Sequence, residues 1–137
     1  MLVLEPRVFQ DERGLFFESY NKRSFRKATG IAPDFVQDNV SRSAKNVIRG
    51  LHYQVGRPQG KLIRVVSGRI FDVAVDLRRS SASFRRWIGI ELSQVQLVWI
   101  PPGFAHGFLV LSDSAEVHYK VTEFWDADSE RGLAWND

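Results

Sequence analysis

A chain of 137 residues that is 44% hydrophobic and 12% aromatic is long enough for one buried core and too apolar to stay disordered. Its net charge of +3 is carried by scattered arginines rather than a Lys/Arg run, which argues against nucleic acid and fits a small anionic ligand. The absence of cysteine excludes a disulfide framework, a thiolate metal site and a cysteine nucleophile; with no apolar run of membrane length and no signal-like start, the expectation is a single cytoplasmic domain over residues 1–137.

In chain order, strand-like runs occupy residues 15–20, 35–40, 47–54, 61–66, 69–77, 87–92, 97–100, 104–111 and 116–122. Residues 22–28, closed by Gly30, make the one helical stretch of a turn or two. Turn formers such as Gly56, Pro58, Gly60, Gly68, Pro101, Pro102 and Gly103 separate the strands. Many short strands at regular spacing predict an all-β sandwich or barrel.

Alternation then assigns faces. In 116–122, Val117, Tyr119 and Val121 share the inward face, and Glu116, His118 and Lys120 the solvent face. Lys61 falls on the apolar face with Ile63 and Val65, opposite Arg64. A lysine there needs a partner or a task, because an unpaired buried charge is costly. His106 points inward with Phe104 and Phe108. Around His52 strict alternation would separate it from Arg49, but a bulge at Gly50 would turn both into one cavity.

Two inward histidines, a lysine and a tyrosine suit proton transfer at a carbon beside a carbonyl. Histidine can take the proton. Lysine can stabilise the enolate oxygen. Tyrosine can return a proton to the opposite face. The rival is a metal site built on His52 and on Pro101-Pro102-Gly103-Phe104-Ala105-His106, a pattern found in cupin barrels. Metal cupins carry a second histidine where Gln54 stands here, and two histidines alone hold a divalent metal poorly. No metal and no cofactor are therefore expected. Asp72 and Asp76 share one face of their strand and read as a surface or hydrogen-bonded pair rather than an acid–base dyad.

Ordered motifs along nearly the whole chain carry a resemblance. They include Asp11-Glu12-Arg13-Gly14, Gln37-Asp38-Asn39-Val40-Ser41, Arg49-Gly50-Leu51-His52-Tyr53-Gln54, Gln59-Gly60-Lys61-Leu62, Asp72-Val73-Ala74-Val75-Asp76, Ile100-Pro101-Pro102-Gly103-Phe104-Ala105-His106-Gly107-Phe108 and Trp135-Asn136-Asp137. With these the chain resembles the dTDP-4-dehydrorhamnose 3,5-epimerases, metal-free members of the cupin superfamily. The resemblance implies a jelly-roll β-barrel, a homodimer, and cofactor-independent epimerisation of a dTDP-4-keto-6-deoxy-hexose at C3 and C5. A 3-epimerase acting at one centre, or a non-catalytic dTDP-sugar-binding protein, are the alternatives.

By position, the resemblance makes His52 the base, Tyr119 the acid on the other face and Lys61 the stabiliser of the enolate. It makes Arg13 and Arg49 diphosphate ligands, a role that suits planar guanidinium forks. Phe16, Glu18, Gln37, Asn39, His106, Trp125 and Glu130 become nucleotide, sugar or pocket residues. Two departures stand out. The family usually continues into a tail beyond the Trp-Asn-Asp motif, with an aspartate for the base histidine and an arginine for the phosphates, so His52 is expected to be a weaker base unless Asp72 or Asp76 substitutes. The stretch Leu92-Ser93-Gln94-Val95-Gln96-Leu97 is slightly short for the family and reads as a trimmed hairpin.

Overall fold

Alternation along the strands decides the architecture. The computed structural model describes residues 1–137 and contains twelve strands and one helix. They run β1 (Leu2–Leu4), β2 (Phe9–Asp11), β3 (Gly14–Phe16), α1 (Lys22–Thr29), β4 (Gln37–Ala44), β5 (Ile48–Gln54), β6 (Lys61–Ser67), β7 (Ile70–Asp76), β8 (Trp87–Leu92), β9 (Leu97–Ile100), β10 (Phe104–Val110), β11 (Ser114–Val121) and β12 (Glu130–Gly132). Two five-stranded antiparallel sheets form, one in the order β1-β9-β6-β11-β4 and the other β12-β5-β10-β7-β8; β2 and β3 pair apart from both. Successive strands mostly change sheet, as a jelly roll requires, which is the fold expected from the sequence.

The core lies between the sheets. Ile63, Val65, Val98, Ile100, Ala115 and Val117 of the first sheet meet Ile70, Ala74, Leu92, Phe104, Phe108 and Val110 of the second. On the outer face of the first sheet, Phe25 of α1 packs on Leu62, Leu97 and Trp99 in a smaller cluster with Tyr20 and Phe35. Phe25 and Phe35 both meet the Trp99 ring edge-on, at 5.7 and 6.0 Å. The helix starts at Asn21, whose side chain accepts hydrogen bonds from the N–H groups of Arg23 and Ser24, and ends at Gly30 in the left-handed conformation.

Several sequence expectations need correction. The strand expected at 15–20 stops at Phe16, because Phe17 leaves to lie under Arg64 and Tyr20 packs on Phe25 and Phe35. The strand expected at 35–40 is Gln37–Ala44, continuing through polar residues because β11 pairs with it along its full length. The short β1, β2 and β12 carried no sequence signal of their own. The stretch after Leu92 is no hairpin: it joins β8 to β9, which belong to different sheets.

Candidate active site

Strand β10 is the spine of the site. His106 on β10 is paired with Ala74 of β7 on one side and with His52 of β5 on the other. Residues directly opposite in antiparallel strands share a face, so both imidazoles belong to the inner surface of the second sheet. The register then slips: Phe108 faces Arg49, three residues before His52, where β10 has advanced only two. This is the bulge expected at Gly50, and it puts Arg49 on the same face as His52. Gly50 has φ of +98°, and a Cβ there would stand 2.5 Å from the carbonyl oxygen of His106. Only glycine fits.

Glu130 enters from β12, paired with Gln54, on the same face again. The opposing sheet contributes Lys61, paired with Val121 and Ile100, and Tyr119, paired with Ile63 and Asn39. His118, as expected, takes the outer face and bonds Glu116 at 3.0 Å. Arg49 is fixed by a 2.7 Å hydrogen bond from its Nε to Ser43 Oγ, which spans the two sheets. Gln37 donates to Asn39 at 2.8 Å and accepts from the Trp125 backbone N–H at 3.1 Å.

The two histidines differ in surroundings. His106 is 8% exposed, and its Nε2 lies 2.7 Å from Oδ2 of the fully buried Asp72. The His52 side chain is 55% exposed, and its nearest carboxylate, Glu130, stands 3.9 Å from Nδ1, too far for a hydrogen bond. Burial pushes the Lys61 ammonium down to about 8, against the opposing pull of Glu130 and Asp72. Burial raises the Tyr119 phenol; Arg49 works against that shift and Glu130 adds to it. Tyr119 therefore keeps its proton at neutral pH.

Gln54 has a structural task. Its amide donates to the carbonyls of Arg57 and Phe124 and accepts from the Asp126 N–H at 3.0 Å, tying the segment around Trp125 to β5. No group of three or more His, Cys, Asp and Glu side chains is arranged to hold a metal ion. What the cleft offers is a half-open imidazole on one wall, a phenol and an ammonium on the other, and arginine beside them. Such a set can take a proton from carbon, hold charge on an oxygen and return a proton from the far side.

The structure thus gathers His52, His106, Lys61, Tyr119, Arg49, Glu130, Gln37 and Asn39, with Trp125 joined through its backbone. Arg13, Phe16 and Glu18 lie elsewhere. Arg13 sits in the tight turn of the β2–β3 hairpin, bound to Asp11. Phe16 is 67% exposed and, with Glu18, borders a cleft of about 490 Å³ over Leu62 and Leu97, on the outer side of the first sheet. Asp72 and Ser43 were missed as site residues. Asp72 faces the cleft rather than the surface, and it pairs with His106, so neither it nor the distant Asp76 substitutes as the partner of His52.

A family model for dTDP-4-dehydrorhamnose 3,5-epimerase matches residues 1–137. The dTDP-4-dehydrorhamnose 3,5-epimerase of Pseudomonas aeruginosa is 57% identical across 100% of this chain and 77% of its own length. The chain belongs to the dTDP-4-dehydrorhamnose 3,5-epimerase family. The Escherichia coli relative of this epimerase is 55% identical over 100% of the chain and 76% of its own length. The Legionella pneumophila dTDP-6-deoxy-D-glucose-3,5-epimerase, solved with dTDP-4-keto-L-rhamnose, superposes with a TM-score of 0.93 at 47% identity, covering 97% of this chain and 72% of that one. The Bacillus anthracis epimerase, solved with TDP and pyrophosphate, gives 0.94 at 49% identity, covering 98% and 79%.

Proposed function

We propose that this epimerase acts on a dTDP-4-keto-6-deoxy-hexose at C3 and C5, with His52 as base, Lys61 as enolate stabiliser and Tyr119 as acid. The observation that carries the reading is the placement of His52 on the inner face of one sheet and Tyr119 on the inner face of the other, with Lys61 paired to Val121 two residues beyond Tyr119. His52 points Nδ1 towards Glu130, leaving Nε2 for the sugar. Breaking the C–H bond moves its proton to His52 and its electron pair onto the C4 oxygen as an enolate. The Lys61 ammonium meets that charge in a dry setting, where it is worth most. The Tyr119 O–H then protonates the carbon from the other face; the phenolate left behind takes a proton from solvent as His52 releases its own, which restores both groups for the second carbon.

Arg49, steadied by Ser43, is the diphosphate ligand within one protomer, and Gln37, Asn39, His106, Trp125 and Glu130 line the sugar and nucleotide path. Phe16 and Glu18 border the outer side of the first sheet and Arg13 sits in the β2–β3 turn, away from this cleft. We assign them to the site of a second copy, in a homodimer where the β2–β3 hairpin crosses to the partner. No helix is long and apolar enough to span a membrane; the cytoplasm is the compartment we assign.

The test is incubation with substrate in D₂O. Deuterium at both C3 and C5 supports the reading, deuterium at C3 alone makes the protein a 3-epimerase, and binding of dTDP-sugar with no exchange makes it a non-catalytic binder.

A further inference from the structure

We propose that Asp72 is a positioning residue of this site, holding the His106 imidazole in place against the sugar. The inference rests on the proposed function and deepens it.

Asp72 is 0% exposed, and its two oxygens are treated unequally. Oδ2 lies 2.7 Å from His106 Nε2, whereas Oδ1 is buried with no hydrogen-bond partner. A buried carboxylate with one idle oxygen is a poor way to stabilise a core, since an apolar side chain of that size would cost less. It is what a site does when charge matters more than stability. A carboxylate can only accept, so the hydrogen sits on Nε2; in the neutral ring Nδ1 then accepts, as from a sugar hydroxyl, and it donates to a carbonyl oxygen only as the imidazolium that Asp72 stabilises. A carboxylate behind an imidazole fixes the tautomer, locks the ring, and stabilises positive charge that develops on it.

The neighbouring charges fit. Lys61 of β6 feels both Asp72 and Glu130 of β12, and their pull opposes the loss of its proton on burial. Arg49 and His52 share the inner face on β5, and Asp76, two inward positions along β7, is already committed to Arg78, Ser81 and Ser83. Asp72 is thus the one β7 carboxylate free to serve the cleft. It touches no reacting atom itself and acts through His106.

The test compares wild type, Asp72→Asn, His106→Gln and the double variant, reading kcat, KM, Tm and C3/C5 exchange in D₂O. Asn keeps the shape and removes the charge. We expect kcat of Asp72→Asn to fall about 10–100-fold with KM moving by less than about threefold, while Tm holds or rises. The double variant should be no slower than His106→Gln alone, because residues acting as a unit do not add. Unchanged kcat with a lowered Tm, or two losses that multiply, overturns the proposal. Nitrogen-15 NMR of His106 in the wild-type protein tests it without any variant: hydrogen on Nε2 is expected, and hydrogen on Nδ1 alone overturns it. Failure of the wild type to exchange C3 or C5 protons overturns the epimerase mechanism instead, so the two failures are distinguishable.

Discussion

His52 and His106 stand directly opposite each other across β5 and β10, yet only His106 has a carboxylate within hydrogen-bonding distance. One imidazole is locked into the wall of the cleft and the other stands half-open at its mouth. Adjacent histidines in such different settings should separate when they are varied. We expect His52→Ala to lose 10²-fold or more, on the order of a missing general base, in deuterium uptake at both carbons. Survival of exchange in that variant would assign the base elsewhere.

Tyr119 should fail differently. Tyr119→Phe removes only the hydroxyl and leaves the packing against the core intact. Deprotonation by His52 should continue, so label washout is expected to exceed net inversion by about 10²-fold, the lower end of the usual worth of one general acid. The comparison is solvent exchange against product stereochemistry by NMR; equal loss of both would remove Tyr119 from the acid role.

Burial of Lys61, the proposed enolate stabiliser, costs the fold stability. Its pKa in the folded chain is about 8, below the unfolded value near 10.5. The unfolded chain therefore holds the proton more tightly, so the cost to folding is complete below pH 8 and is relieved as pH climbs from about 8 to 10.5. Lys61→Met should be more stable than wild type by roughly 3 kcal/mol at pH 7, a gap that closes over that window in denaturant titrations. The same variant should lose activity, and wild-type kcat/KM should decline as pH rises through about 8, if the proposed enolate stabilisation needs the ammonium.

Asp76 is the contrasting carboxylate. The Arg78 guanidinium, with help from Ser83 and Ser81, holds it well below the usual carboxylate range despite burial. A folded pKa below the unfolded one stabilises the fold at all pH values above the unfolded pKa near 3.8, and that stability is lost as pH falls through the folded value. Asp76→Asn should cost roughly 2–4 kcal/mol at pH 7 and progressively less in acid, measured by denaturation across pH.

Gly50→Ala tests the bulge. A Cβ at that position meets the His106 carbonyl and must sit at φ of +98°. The β5–β10 register should shift or loosen, costing at least about 2 kcal/mol and disturbing His52 and Arg49 together. Wild-type stability and activity in that variant would mean that the strands can part there without consequence.

Much of this was legible in the residues, for identifiable reasons. Tyr119, Lys61 and His106 sit on strands whose inner neighbours are plainly apolar, so alternation alone gave their direction. Gly50 marked its own bulge. Asp72 and Asp76 are hydrogen-bonded, as the sequence suggests, but not on the surface: β7 carries Phe71, Val73 and Val75 on its outer face, while both aspartates point into the sandwich. Period two finds the faces of a strand but not which one is buried when both carry chemistry. Arg13, Phe16 and Glu18 could not be placed at all from a single chain's pattern, because a hairpin paired with neither sheet answers to no register. Gln54 was read only as a histidine that is not there, whereas its three hydrogen bonds are local geometry that no sequence motif announces.

The proposed base and the proposed acid belong to different sheets. Their separation is therefore set by the thickness of the layer between, about 10 Å in packed sheets, and Ile63, Val65, Phe108 and their neighbours are its spacers. Such a layer works as a caliper. Adding or removing a methylene far from any substrate atom would change the gap by tenths of an ångström, enough to be felt by a proton in flight before the fold itself gave way. The interior of this protein then sets a length as well as excluding water, and conservative core substitutions should be counted among its activity variants.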